Sequence, residues 1–167
     1  MALTAKVSAN IRAVLTSALD LSSGTSEISD TNTFSFTNGT GANQANQVFS
    51  DQRTISASSS EELDLAGSLS DAFGNTITFS IVKAILVVAS SDNTNDVLVG
   101  GSASNGFDTW VGATGDIVAV KPGGCMLVVA PDATGYAVTA STGDLLKVAN
   151  SAGSSSVTYD IIIIGVE

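Results

Sequence analysis

The chain has 167 residues, 44% hydrophobic but only 5% aromatic, with 16 acidic and 6 basic side chains, no histidine and a formal net charge of −10. That length accommodates one domain with one core, and the acidic balance repels nucleic acid. Lys6, Arg12, Arg53, Lys83, Lys121 and Lys147 form no basic run or stripe, and the longest apolar runs are far too short to span a membrane. A core poor in aromatics must be built from Val, Ile, Leu and Ala, which together with abundant Ser, Thr and Gly favour pleated sheet over helix.

Near the start, Leu3, Ala5, Val7, Ala9, Ile11, Ala13 and Leu15 alternate as in a strand, while Leu3, Val7, Ile11, Val14, Leu15, Ala18 and Leu19 also fit one helical face. Thr and Ser at the opposite positions, and no capping box, favour strand. Residues 22–47 are rich in Ser, Thr, Asn and Gly, with Phe34 and Phe36 as an alternating pair and Asn38-Gly39 as a turn. They read as a long loop with one short strand, ordered on contact with a neighbour.

From residue 48 onward short strands recur between turn signals, as in a sandwich or barrel. Strands are expected near 48–57, 62–65, 76–88, 96–99, 109–111, 116–120, 125–130, 136–140, 144–148 and 156–166. The apolar second half of 76–88 marks a central strand covered on both faces. Four consecutive isoleucines, Ile161 to Ile164, give the strongest strand signal. Two Thr-Gly-Asp turns, at Thr114 and Thr142, each launch an apolar strand. The expected class is therefore all-β, a β-sandwich or jelly roll, with residues 1–47 as an N-terminal arm and long loop for contacts between subunits and 48–167 as the core.

Chemistry-bearing patterns are sparse. Without His the usual general base, the partner of a catalytic Ser or Cys and the commonest metal ligand are missing. Glu61, Glu62 and Asp64 read as a solvated acidic face, and no enzymatic activity and no cofactor are expected. Asp92-Asn93-Thr94-Asn95-Asp96 alternates oxygen ligands but lacks the glycine and downstream Glu of a calcium loop, so it reads as a polar turn. The one cysteine, Cys125, lies in the apolar segment Cys125-Met126-Leu127-Val128-Val129 and reads as a small core hydrophobe; being alone, it excludes an intrachain disulfide. The N-terminal stretch, interrupted by Lys6, Asn10 and Arg12, does not read as a signal peptide, and synthesis in the cytoplasm is expected.

A subunit without catalytic equipment works through its surfaces. Leu3, Val7 and Ile11 are candidates for buried apolar contacts, and Lys6, Arg12 and Arg53 for pairing with acidic neighbours. Phe107 and Trp110 lie in a Gly- and Ser-rich region where an aromatic caps a core edge or anchors a partner.

Several strings resemble a group of small virion proteins of tailed bacteriophages: Gly39-Thr40-Gly41-Ala42-Asn43-Gln44-Ala45, Asp51-Gln52-Arg53-Thr54, Leu63-Asp64-Leu65-Ala66-Gly67, Ala130-Pro131-Asp132-Ala133-Thr134-Gly135-Tyr136-Ala137-Val138-Thr139 and Gly143-Asp144-Leu145-Leu146-Lys147-Val148. The resemblance runs from about residue 39 to the end of the sequence. It implies a structural component of the particle, and for an acidic β protein of this size a capsid decoration or cement protein. Such proteins are often dimeric or trimeric and clamp the major capsid protein or another virion protein. A tail, neck or head-fibre subunit shares these features, and a carbohydrate-binding sandwich is the remaining alternative. Neither a nucleic acid nor a membrane partner is implied.

Overall fold

The computed structural model describes residues 2–167, and among them the regular elements are all strands. In chain order these are β1 (Ala5–Ala18), β2 (Ser23–Asn38), β3 (Gln44–Ala45), β4 (Gln47–Ile55), β5 (Ser60–Asp64), β6 (Leu69–Ser70), β7 (Thr76–Ile77), β8 (Ile81–Ala89), β9 (Val97–Gly100), β10 (Ile117–Val120), β11 (Cys125–Val129), β12 (Tyr136–Ala137), β13 (Leu145–Asn150) and β14 (Val157–Val166). The expected all-β sandwich-like class holds. Two sheets form the body: a front sheet ordered β11-β8-β14-β4, with β12 also on β8, and a back sheet ordered β10-β9-β13-β5. All pairings within them are antiparallel.

Period-two alternation builds the core between the sheets. From the front sheet Ile85, Val87, Tyr159, Ile161 and Ile163 point inward, and from the back sheet Leu63, Val97, Val99, Leu146 and Val148, all buried in one cluster. Each such aliphatic side chain contributes about 1.5–3 kcal/mol on burial. The isoleucine run obeys the same rule: Ile161 and Ile163 face the core, while Ile162 remains 39% exposed on the outer face. Beside it β8 occupies the centre, and both Ala84 and Ile85 are buried because a second small cluster covers the outer face there.

The chain crosses between sheets at defined polar points. Asn150 donates from Nδ2 to the Ser155 carbonyl at 2.7 Å and receives a bond from Asn95 at 3.0 Å, so the two buried amides are linked and tie down the adjoining loop. The two Thr-Gly-Asp turns have equivalent chemistry: Asp116 Oδ2 accepts from the Ala113 amide at 2.8 Å, and Asp144 Oδ2 from the Ser141 amide at 2.6 Å. They launch β10 and β13, which flank β9. Gly165 sits at a register shift between β14 and β8, where an added Cβ would collide with the Ile81 carbonyl and the Phe79 ring. Only glycine permits that close approach.

Four sequence expectations need correction. Residues 22–47 are not mainly loop: residues 23–38 form a single strand of 16 residues, paired with β1 from Ser23 to Phe36. The expected strand at 76–88 is broken, because Phe79 turns into the core and its amide bonds to Leu65 at 2.8 Å while Ser80 bonds to Val166 at 2.8 Å. Residues 109–111 are a turn wound around Trp110, whose indole N–H donates to the Phe107 carbonyl at 2.9 Å. The strand at 136–140 shortens to β12, and Val138 leaves the ladder to bond Ser80.

If the alternation of β14 carries the fold, Ile161→Ala lowers stability by about 2–5 kcal/mol. Leu21→Ala, at a fully exposed position in the arm's turn, changes it by less than about 0.5 kcal/mol. Urea titration of both variants followed by far-ultraviolet circular dichroism checks this, and equal losses would show that the body does not fold around that strand.

Candidate protein-binding surface

The β1–β2 hairpin leaves the body as an arm, and its register divides it into two faces. Opposite pairs Ala5–Phe36, Val7–Phe34, Ala9–Asn32, Ile11–Asp30, Ala13–Ile28 and Leu15–Ser26 share one face. Lys6–Ser35, Ser8–Thr33, Asn10–Thr31, Arg12–Ser29, Val14–Glu27 and Thr16–Thr25 share the other. The first face is mostly apolar and the second mostly polar. On the polar face Arg12 reaches diagonally to Glu27 at 2.7 Å; both side chains are well exposed, so the pair is worth at most about 1 kcal/mol.

Only the root of the arm is covered. Leu3, Ala5, Val7, Phe34 and the fully buried Phe36 pack on Ala45, Val48, Ala84, Val129 and Ile164, on and beside the outer face of the front sheet. The two-residue β3 runs parallel to the end of β2 and ties the root down, with the Asn43 amide donating to the Pro131 carbonyl at 2.7 Å. Gly39 makes this return possible: it has φ of 148°, and a Cβ there would strike the Gln44 side chain. Beyond the root the arm is exposed along about 30 Å of strand. Ile11, Leu15 and Ile28 on its apolar face are 68%, 73% and 63% exposed, and Leu19 and Leu21 at the turn are 58% and 100% exposed. A two-stranded ribbon is marginal alone in water, so this arm depends on its anchored root for order.

Beneath the arm lies a groove of about 520 Å³, many times the ~30 Å³ of a water molecule. Its floor is the outer face of the front sheet, Ala84, Leu86, Cys125, Leu127, Ile162 and Ile164, and its wall is the run from Lys6 to Ile11 of β1. Consecutive residues of one strand line it and no residue of β2 does. The wall is therefore the free edge of β1, which pairs only with β2 and turns every second N–H and C=O toward the groove.

The eight residues singled out from sequence separate. Leu3 and Val7 stand at the root, Lys6 and Ile11 in the groove wall, and Arg12 on the polar face. Arg53 belongs elsewhere: its Nε donates to Glu61 at 2.6 Å and its Nη1 to Asp51 at 2.8 Å, while Tyr159 donates its hydroxyl to the other oxygen of Glu61 at 3.0 Å. Burial pushes the Arg53 guanidinium down, but bonding to Glu61 and the charges around it outweigh this and raise it. Phe107 and Trp110 are corrected as interface candidates: they are 1% and 9% exposed and form part of the core. Cys125, expected in the core, is corrected: its strand turns it to the outer face of the front sheet, where it is exposed on the groove floor. The rest of the floor escaped sequence reasoning, although one signal was present, namely that Ile162 and Ile164 share parity and must face away from Ile161 and Ile163.

The acidic patterns are occupied internally. Glu62 accepts from Ser102 at 2.7 Å, Asp64 caps the Ala66 amide at 2.8 Å and Asp96 accepts from Lys121 at 2.6 Å. Asn93 brackets Thr158, accepting from its N–H at 2.8 Å and donating to its carbonyl at 2.9 Å. Among the described residues no three His, Cys, Asp or Glu side chains are grouped to hold a metal, and no helix is long and apolar enough to cross a membrane. No family model, curated protein or solved structure matches this chain.

Burial, and then the charge of Glu61, hold the Tyr159 phenol well above its ordinary value of 10.0. Because the folded-state value is raised, the stability contributed by neutral Tyr159 is complete below about pH 10 and is lost as pH rises beyond it. Thermal melts from about pH 8 to 11.5 should show an alkaline decline that Tyr159→Phe flattens, with a cost near neutrality of about 1 kcal/mol for the lost hydrogen bond. A decline of the same steepness in the variant would assign it to other groups.

Proposed function

We propose that this chain is a structural virion protein of a tailed bacteriophage, a capsid decoration or cement protein that binds and stabilises the major capsid lattice through its hairpin arm. The observation that carries the reading is the arm itself, a two-faced ribbon rooted in the body and left apolar and uncovered over most of its length. The virion setting comes from the resemblance of residues 39 onward to small phage particle proteins. The division of charge fits such a role: on the arm Lys6 and Arg12 nearly offset Asp20, Glu27 and Asp30, and the remaining 129 residues carry nearly all the net negative charge, which keeps the body soluble while the arm seeks contact.

In this reading the body is a compact spacer and the arm the clamp. Apolar side chains at the arm's turn, Leu19 and Leu21, enter pockets of the lattice, and the polar face adjusts the fit, as in other interfaces where a few buried anchors dominate. Stabilisation of the shell follows by mass action, since a ligand that binds only the assembled lattice shifts the equilibrium toward it.

The test uses phage particles lacking the protein. Added wild-type chain should saturate heads in cryo-electron microscopy and raise their resistance to heat. Leu19→Ser with Leu21→Ser should lower occupancy at least about tenfold without changing the melting curve of the free protein. Binding to tails alone, or no binding to particles, would overturn the reading.

A further inference from the structure

The groove beneath the arm offers two things at once, a strand edge with unpaired N–H and C=O groups and a row of apolar side chains below it. What fills both is an extended strand that alternates apolar and polar residues. The chain itself carries such a strand in β1, with Ala5, Val7, Ala9, Ile11, Ala13 and Leu15 on one face and Lys6, Ser8, Asn10, Arg12 and Thr16 on the other. It has no proline or bulge in its 14 residues to discourage pairing.

We propose that the free edge of β1 pairs antiparallel with β1 of a second copy, giving a two-fold dimer in which each arm closes the other's groove. Antiparallel pairing is what makes the contact reciprocal. It sets the exposed distal half of one β1 beside the rooted half of the other, so that Ile11, Ala13 and Leu15 of one copy lie over Leu86, Leu127 and Ile162 of its partner. A continuous ribbon β2-β1-β1-β2 results, apolar side down on two bodies and polar side out to water.

Register follows from parity and charge. Pairs must join odd residues to odd, because a slip of one would turn every apolar side chain to water. Among such registers, the one placing Ala9 opposite Ala9 sets Lys6 against Arg12, and the one placing Arg12 opposite Arg12 sets like charges together; both are disfavoured. The two registers between them centre the two-fold axis on Asn10 or on Ile11. With the axis on Asn10, the two copies of Ala5 stand ten residues, about 34 Å, apart along the ribbon. Bodies of about 130 residues, with radii of gyration near 14 Å and therefore about 36 Å across, then abut side by side beneath it.

The area is of the right size. Ala9, Ile11, Ala13, Leu15 and Ile28 on each arm, and the half-exposed floor side chains on each body, contribute roughly 100 Å² for each large group. With the paired backbone edges this is on the order of the ~800 Å² that each partner buries in a standard interface. The turn, with Leu19 and Leu21, extends past the partner's root and stays free, so dimerisation is compatible with the proposed lattice contact but does not depend on it.

Light scattering coupled to size exclusion on the purified full-length chain should give twice the 16.7 kDa chain mass. Ile11→Asp with Leu15→Asp should give the monomer mass with an unchanged dichroism spectrum. In a Cys125→Ala background, Asn10→Cys or Ile11→Cys should form an interchain disulfide under mild oxidation at least about tenfold faster than Leu15→Cys, whose two copies lie far from the axis. A monomer or a trimer, a dimer that survives the double substitution, or cross-linking as fast at position 15 as at 10 and 11 would overturn the proposal. These measurements need no phage particle: a dimer that ignores particles sinks only the virion reading, and a monomer that binds them sinks only this one.

Discussion

A strand in a sheet has two faces, and a run of four isoleucines cannot hide on one. Ile161 and Ile163 satisfy the constraint by building the core, which commits Ile162 and Ile164 to the opposite surface of the front sheet. There the chain must supply cover of its own or leave apolar area in water. It does both: the root of the hairpin, with Val7, Phe34 and Phe36, seals Ile164 and Ala84, whereas Ile162, Leu86 and Leu127 beside them floor an open groove. The position of the arm, the burial of the centre of β8 on both sides and the existence of the groove all descend from that single alternation.

The polar groups of the body are arranged to close on themselves. Arg53 is held between Asp51 and Glu61, and Tyr159 shares Glu61 at the edge of the core. Asn93, Asn95 and Asn150 stitch the loops that join the sheets. Lys83 has a buried side chain whose Nζ donates to the Asp132 carbonyl; burial lowers its pKa and the nearby Asp132 charge works against that shift. Asp132 in turn is held down to about 2 by hydrogen bonds from Thr134 and Gly135. Bonds of this kind fix loop geometry, and they leave the acidic surface to act mainly through its long-range field.

Much of the body was legible in the sequence because its strands are short, β-branched and separated by Gly, Asn and Asp turns. The alternation over residues 3–15 resolved correctly to strand, and the isoleucine run correctly marked the strand on which the front sheet is built. The arm's second strand was hidden by composition. Ser, Thr, Asn and Asp fill residues 23–33, and their polarity reads as loop when a strand is expected to show a buried face. Ile28, Phe34 and Phe36 nonetheless share even parity, and the register places all three on the apolar face opposite Ala13, Val7 and Ala5. Trp110 was ambiguous for a different reason: an isolated aromatic in a glycine-rich stretch has no periodicity, and only the fold shows that its indole closes a turn over the core.

Why such an arm should be a strand pair, when a flexible loop would reach as far, follows from entropy. A disordered segment of this length that orders on contact gives up about 1–2 kcal/mol per residue in backbone freedom, and that loss offsets much of what a few aliphatic contacts return. A ribbon already paired over 14 register positions has largely lost that freedom before any partner arrives, so its contacts report more directly as affinity. Its root supplies the order, because Phe36 and Val7 are fixed by the body and the ladder propagates outward from them. In the proposed contacts such a ribbon also carries its own specificity, since period two sends Ile11 and Leu15 to one face and Arg12 to the other, and a partner meeting the arm out of phase would find charge where it needs a side chain to bury.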